Sequence, residues 1–103
     1  MADRIGQNIN VKDKAVLSGN IALNSSTAVT IQAIDLRRIF WSVSNPENFA
    51  IYVKLQAASI DNDKNGIYIA GNGYWEMPSG DKYTGEICAI AASDTPEVFT
   101  TQY

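Results

Sequence analysis

Histidine is missing from this chain altogether. That absence excludes a histidine-dependent nucleophile triad, an imidazole general base and a histidine-ligated transition metal. Cysteine occurs once, as Cys88, so neither an internal disulfide nor a thiolate-cluster metal site can form. No apolar run approaches the roughly 20 residues of a membrane-spanning helix. The start, Met1 to Asn8, lacks the apolar stretch of a signal peptide, so neither a membrane partner nor a leader is expected. Basic residues are also few: 8 against 11 acidic, for a net charge of −3. Nucleic-acid binding needs a basic field, so no nucleic-acid partner is expected. Together these gaps weigh against an enzyme.

What remains is the material of one small globular domain. The chain has 103 residues, 46% of them apolar and 18% charged. A chain of this length buries roughly 65% of its unfolded surface, an adequate core without much surplus.

The apolar residues recur with period two, which marks half-buried strands. Phe49–Gln56 is the clearest case: Phe49, Ile51, Val53 and Leu55 alternate with Ala50, Tyr52, Lys54 and Gln56. Arg37–Ser44 sets Ile39, Trp41 and Val43 against Arg38, Phe40, Ser42 and Ser44. Further strands are predicted over Val16–Leu23, Ala28–Ile34, Gly66–Ala70, Tyr74–Met77, Lys82–Ala92 and Glu97–Gln102. Turn residues separate them: Asn45-Pro46-Glu47-Asn48, Pro78-Ser79-Gly80-Asp81 and Ser93-Asp94-Thr95-Pro96. Gly71-Asn72-Gly73 reads as a hairpin turn that uses positive φ. About eight strands at this spacing imply an all-β fold, a single β-sandwich of jelly-roll type over residues 16–103. Residues 1–15 carry charges around Ile5, Ile9 and Val11 and read as an extended N-terminal arm.

Several features bear on chemistry. Asp61-Asn62-Asp63-Lys64-Asn65-Gly66 opens like a calcium loop, with Asp61, Asp63 and Asn65 as oxygen donors at alternate positions. The twelfth position, where such a loop needs a bidentate Glu, is Asn72, and strands flank the segment. The plainer alternative is a polar turn. No other cofactor is expected. Cys88 lies in an apolar strand and reads as a small buried residue. Glu76, Glu86 and Glu97 read as surface acids, since a glycosidase needs two carboxylates facing each other across a sugar. Trp41 and Phe49 share register with aliphatic residues and are expected in the core. Tyr52 and Tyr68 fall on the opposite strand faces and suggest a contact surface, between subunits or against sugar rings.

Four stretches share a cadence: Arg37-Arg38-Ile39-Phe40-Trp41-Ser42-Val43-Ser44-Asn45, then Ile51-Tyr52-Val53, then Asn65-Gly66-Ile67-Tyr68-Ile69-Ala70-Gly71-Asn72-Gly73-Tyr74-Trp75-Glu76-Met77, then Tyr83-Thr84-Gly85-Glu86-Ile87-Cys88-Ala89-Ile90-Ala91. Over about residues 27–102 the chain resembles small β-sandwich virion proteins of tailed bacteriophages, the capsid decoration (cement) proteins and head-fibre subunits. The resemblance implies a structural protein of the capsid exterior, present in the host cytoplasm during assembly. Its implied partners are the major capsid protein and itself, commonly as a trimer. The expected contacts are Arg4, Ile5, Ile9, Val11 and Lys12 of the arm, with Tyr52 and Tyr68. The alternatives are another virion component (a head-fibre base, a head–tail adaptor or a tail-associated protein) and a carbohydrate-binding module.

Overall fold

The structure, a computed structural model, describes residues 17–78 and 82–102. Eight strands follow in order: β1 (Leu17–Ala22), β2 (Val29–Gln32), β3 (Trp41–Ser44), β4 (Ile51–Lys54), β5 (Ile67–Ile69), β6 (Tyr74–Glu76), β7 (Ile87–Ala91) and β8 (Glu97–Gln102). They form two four-stranded sheets, ordered β1-β8-β3-β6 and β2-β7-β4-β5, and every pairing is antiparallel. The described residues contain no helix, hence none long and apolar enough to cross a membrane.

Both sheets turn an apolar face to a single buried cluster, and outside β7, which is buried throughout, alternation supplies that face. Trp41, Val43 and Val98 come from the first sheet; Ile31, Ile51, Val53, Ile69, Ile87, Ala89 and Ala91 come from the second. Trp75 on β6 packs against Trp41 at a ring-centroid distance of 5.8 Å, tilted by 55°. Such a pair adds about 0.5–1.5 kcal/mol beyond its buried area.

Several expectations change. Gly71-Asn72-Gly73 is not a hairpin turn: β5 pairs with β4 and β6 pairs with β3, so the segment carries the chain from one sheet to the other. Asn72 does take positive φ, at 64°. A Cβ on Gly71 would stand 2.6 Å from the Asn48 carbonyl, so the two turns approach too closely for any side chain there. Phe49 is exposed rather than core, because the ladder of β4 starts only at Ile51. Residues 37–40 and 82–86 lie outside strands, so β3 and β7 are shorter than expected. Arg38, expected on a polar face, is 2% exposed.

Two buried polar side chains fix the opposite ends of β3. Asn45 donates to the carbonyls of Phe49 (2.7 Å) and Ala70 (3.3 Å) and accepts from the Glu47 amide (3.3 Å). Arg38, at the other end, organises the candidate site.

Candidate functional site

The strand registers bring the β2–β3 connection, the exit of β4 and the β6–β7 connection to one end of the molecule. Arg38 ties three parts of that end together. Its Nε donates to Gln102 Oε1 (2.6 Å), Nη1 donates to the carbonyls of Tyr83 (2.8 Å) and Gly85 (3.0 Å), and Nη2 donates to the Ala33 carbonyl (2.6 Å). A guanidinium suits this position because its donors form a rigid planar fork. Burial lowers the Arg38 pKa from its ordinary value, while the negative charge of Asp35 and then Tyr83 acts against that shift. Asp35 closes the loop: its amide donates to the Thr84 carbonyl (2.9 Å) and its carboxylate accepts from the Arg37 amide (3.0 Å) and Gln102 Nε2 (3.3 Å).

This framework presents apolar side chains to solvent. Leu36 is 80% exposed and Ile34 64%, with Ile39 and Leu55 also exposed. A cavity of about 220 Å³ is lined by one of them, Leu55, with Trp41, Trp75, Met77 and Tyr83 among others. Single exposed apolar residues are ordinary; these four all belong to the end that Arg38 ties together.

The polar loop after β4 takes its own form. Lys54, 4% exposed, extends to Asp61 and donates to its Oδ1 (2.5 Å), to its carbonyl (3.4 Å) and to the Asp63 carbonyl (2.8 Å). Asp61 also accepts from Gln56 Nε2 (3.3 Å) and from the Asp63 amide (3.0 Å). These bonds, led by that of Lys54, hold the Asp61 carboxyl below the usual carboxylate range. The loop oxygens thus surround an ammonium supplied by β4. Asp63 and Asn65 are exposed, and no group of three or more His, Cys, Asp and Glu is placed to hold a metal among the described residues.

Tyr52 and Tyr68 do come together. They face each other across β4 and β5, ring centroids 5.5 Å apart at 62°, with Tyr68 the more exposed. Cys88 is fully buried, and burial raises its thiol pKa. Glu86 accepts from Thr30 Oγ1 (2.6 Å) and the Ala58 amide (3.0 Å), and Glu76 accepts from the Tyr74 hydroxyl (2.7 Å). Arg4, Ile5, Ile9, Val11 and Lys12 lie outside the described residues.

The apolar end was not expected from the sequence, in which Ile34 and Ile39 read as parts of strands. Compared with known proteins, the chain matches no family model, no curated protein and no solved structure.

Proposed function

We propose that this chain is a bacteriophage virion structural protein, a capsid decoration or cement protein that binds the outer shell as an oligomer and stabilises it. On this reading the fold is a β-sandwich of jelly-roll connectivity. The order β1-β8-β3-β6 over β2-β7-β4-β5 supports that connectivity, with eight strands divided between two antiparallel sheets.

The observation that carries the reading is the apolar end held by Arg38. Ile34, Leu36 and Ile39 project from a connection whose base is fixed by a buried guanidinium. A surface ordered in advance loses little conformational entropy on docking. Each such side chain contributes about 1.5–3 kcal/mol when fully buried. Repetition in a trimer on a repeating lattice of major capsid protein multiplies weak contacts, by about 10²–10⁴ in avidity. Tyr52 and Tyr68 supply a second contact patch between subunits or against the shell. Arg4, Ile5, Ile9, Val11 and Lys12 extend the grip to a neighbour.

Co-sedimentation with mature capsids tests this. Binding saturates at a copy number set by the lattice, and Leu36→Asp with Ile34→Asp weakens it at least tenfold while leaving the melting transition in place. Saturation at a few copies per particle would instead indicate a fibre base, an adaptor or a tail part. A second reading, a carbohydrate-binding module, draws on Tyr74 and Phe99, two exposed rings on either side of Ser44 in adjacent strands. Retention on a polysaccharide column, lost in Phe99→Ala, would favour it.

A further inference from the structure

The strands β4 and β5 are neighbours in one sheet, yet residues 55–66 separate them where a turn of about two to five residues suffices. The extra length crosses the outward face of that sheet. Asn62 Oδ1 accepts from the amide of Ala28, just before β2 (2.9 Å), and Lys64 Nζ donates to the carbonyl of Ala92, just after β7 (3.1 Å). The connection therefore passes from β4 across β7 to the far edge strand and returns.

What lies on that face explains the detour. On β7, Ile87, Ala89 and Ala91 belong to the core cluster, so Cys88 and Ile90 point the other way. Both are nonetheless 0% exposed. Cys88 is flanked in register by Thr30 on β2 and Lys54 on β4. Lys54 engages the strap at Asp61 and Asp63, and the partner of Thr30, Glu86, engages it at Ala58.

The two halves of the strap are held differently. The later half has Lys54, Asn62 and Lys64 as separate tethers. Over Ala57–Ile60, among the described residues, Glu86 Oε2 is the side-chain acceptor that joins the strap to the sheet; Ile60 bonds only back to the Ala57 carbonyl (3.2 Å). We propose that residues 57–60 form a flap over Cys88, latched by the Glu86 carboxylate and opened by its protonation.

Glu86 is well placed for this. Its bond from the Ala58 amide, and then that from Thr30, hold its carboxyl below the ordinary carboxylate range. The groups around it are Thr30 from β2, Ala58 from the strap, and Tyr83, whose hydroxyl donates to the Glu86 carbonyl (2.8 Å). The Cys88 thiol lies next on the same strand face, and the charges of Lys54, Glu86 and Asp61 all act on it. A depressed pKa means the closed state binds protons less readily, so closure holds at neutral pH and weakens as pH falls through the depressed value. A protonated carboxyl retains acceptor capacity but loses the charge that strengthens both bonds.

Cys88, the one cysteine, is a built-in reporter. The full chain is treated with 4,4′-dithiodipyridine at pH 7 down to pH 3.5, each rate divided by that of the denaturant-unfolded chain at the same pH. The normalised rate rises as the pH is lowered over this range while tryptophan emission stays native. Glu86→Ala is fast at pH 7 and nearly independent of pH. Glu86→Gln, which keeps the acceptor oxygen and the side-chain shape, is also nearly independent of pH and guards against misfolding of the alanine variant. A wild-type rate that stays flat, or that rises only with loss of native emission, overturns the proposal. So does a glutamine variant that keeps the wild-type pH dependence.

Discussion

Arg38→Met keeps much of the buried volume of Arg38 and removes every donor. In the native chain four hydrogen bonds leave this side chain, to Gln102 Oε1 and to the carbonyls of Ala33, Tyr83 and Gly85. Bonds with a charged partner contribute about 1.5–3 kcal/mol each, and an orphaned buried acceptor costs about 1–3 kcal/mol. The four share one group, so simple addition overstates the effect. The carbonyls lie in connections that water can partly reach, and the figure for breaking a buried charged network, about 3–5 kcal/mol, is the appropriate one. At roughly 4–8 °C per kcal/mol for a domain of this size, the midpoint drops by at least about 12 °C. Arg38→Lys keeps the charge but not the fork and loses about half as much, since one ammonium cannot reach oxygens on three segments. Calorimetry and urea titration of the two variants measure this directly. A methionine variant within about 0.5 kcal/mol of wild type, the range of ordinary surface changes, would refute the claim that Arg38 organises this end.

Gly66 has φ +107° and a built Cβ would meet the Val53 carbonyl at 2.6 Å; Gly66→Ala therefore destabilises by more than about 1 kcal/mol in chemical denaturation. Asn72, at φ 64°, tolerates glycine with little change and loses about 1 kcal/mol with a β-branched residue, read from the same titrations. Asp61 and Glu86 both have folded pKa values below the ordinary range, so the stability they contribute is present above that range and is lost as pH falls through the depressed values. A pH series of melting curves shows the fall on the acid side, and Glu86→Gln shallows it. Val43→Ala leaves a void in the core beside its register partner Trp75 and costs about 1–3 kcal/mol in a urea titration.

Much of the fold was legible because alternation is a local signal. The range Glu97–Gln102 coincides with β8, and Ile51 and Val53 face the core as their spacing requires. Pairing partners were not legible. The turn at Gly71-Asn72-Gly73 uses the same residue chemistry whether its flanking strands join each other or separate sheets. Strand β7 is buried along its whole length, so its continuous apolar run has no period to read; on its outward face Cys88 and Ile90 are flanked by Lys54 and Tyr52 of β4. Lys54 and Arg38 look like surface residues by type. Their burial depends on acceptors distant in sequence, the Gln102 side chain in one case and a returning loop in the other. The candidate site was legible only in part. Tyr52 and Tyr68 met as a pair, but Ile34 and Leu36 carried no signal, since an exposed aliphatic residue beyond a strand end resembles the strand itself.

In the proposed function the chain grips a repeating shell through its Arg38-held apolar end. Quantitative co-sedimentation of the purified chain with mature capsids, wild type beside Leu36→Asp, measures it most directly. Saturable binding at one lattice-defined stoichiometry is expected, weakened at least tenfold by the substitution with the melting midpoint unchanged. Equal binding by the two proteins, or no binding by either, would contradict it.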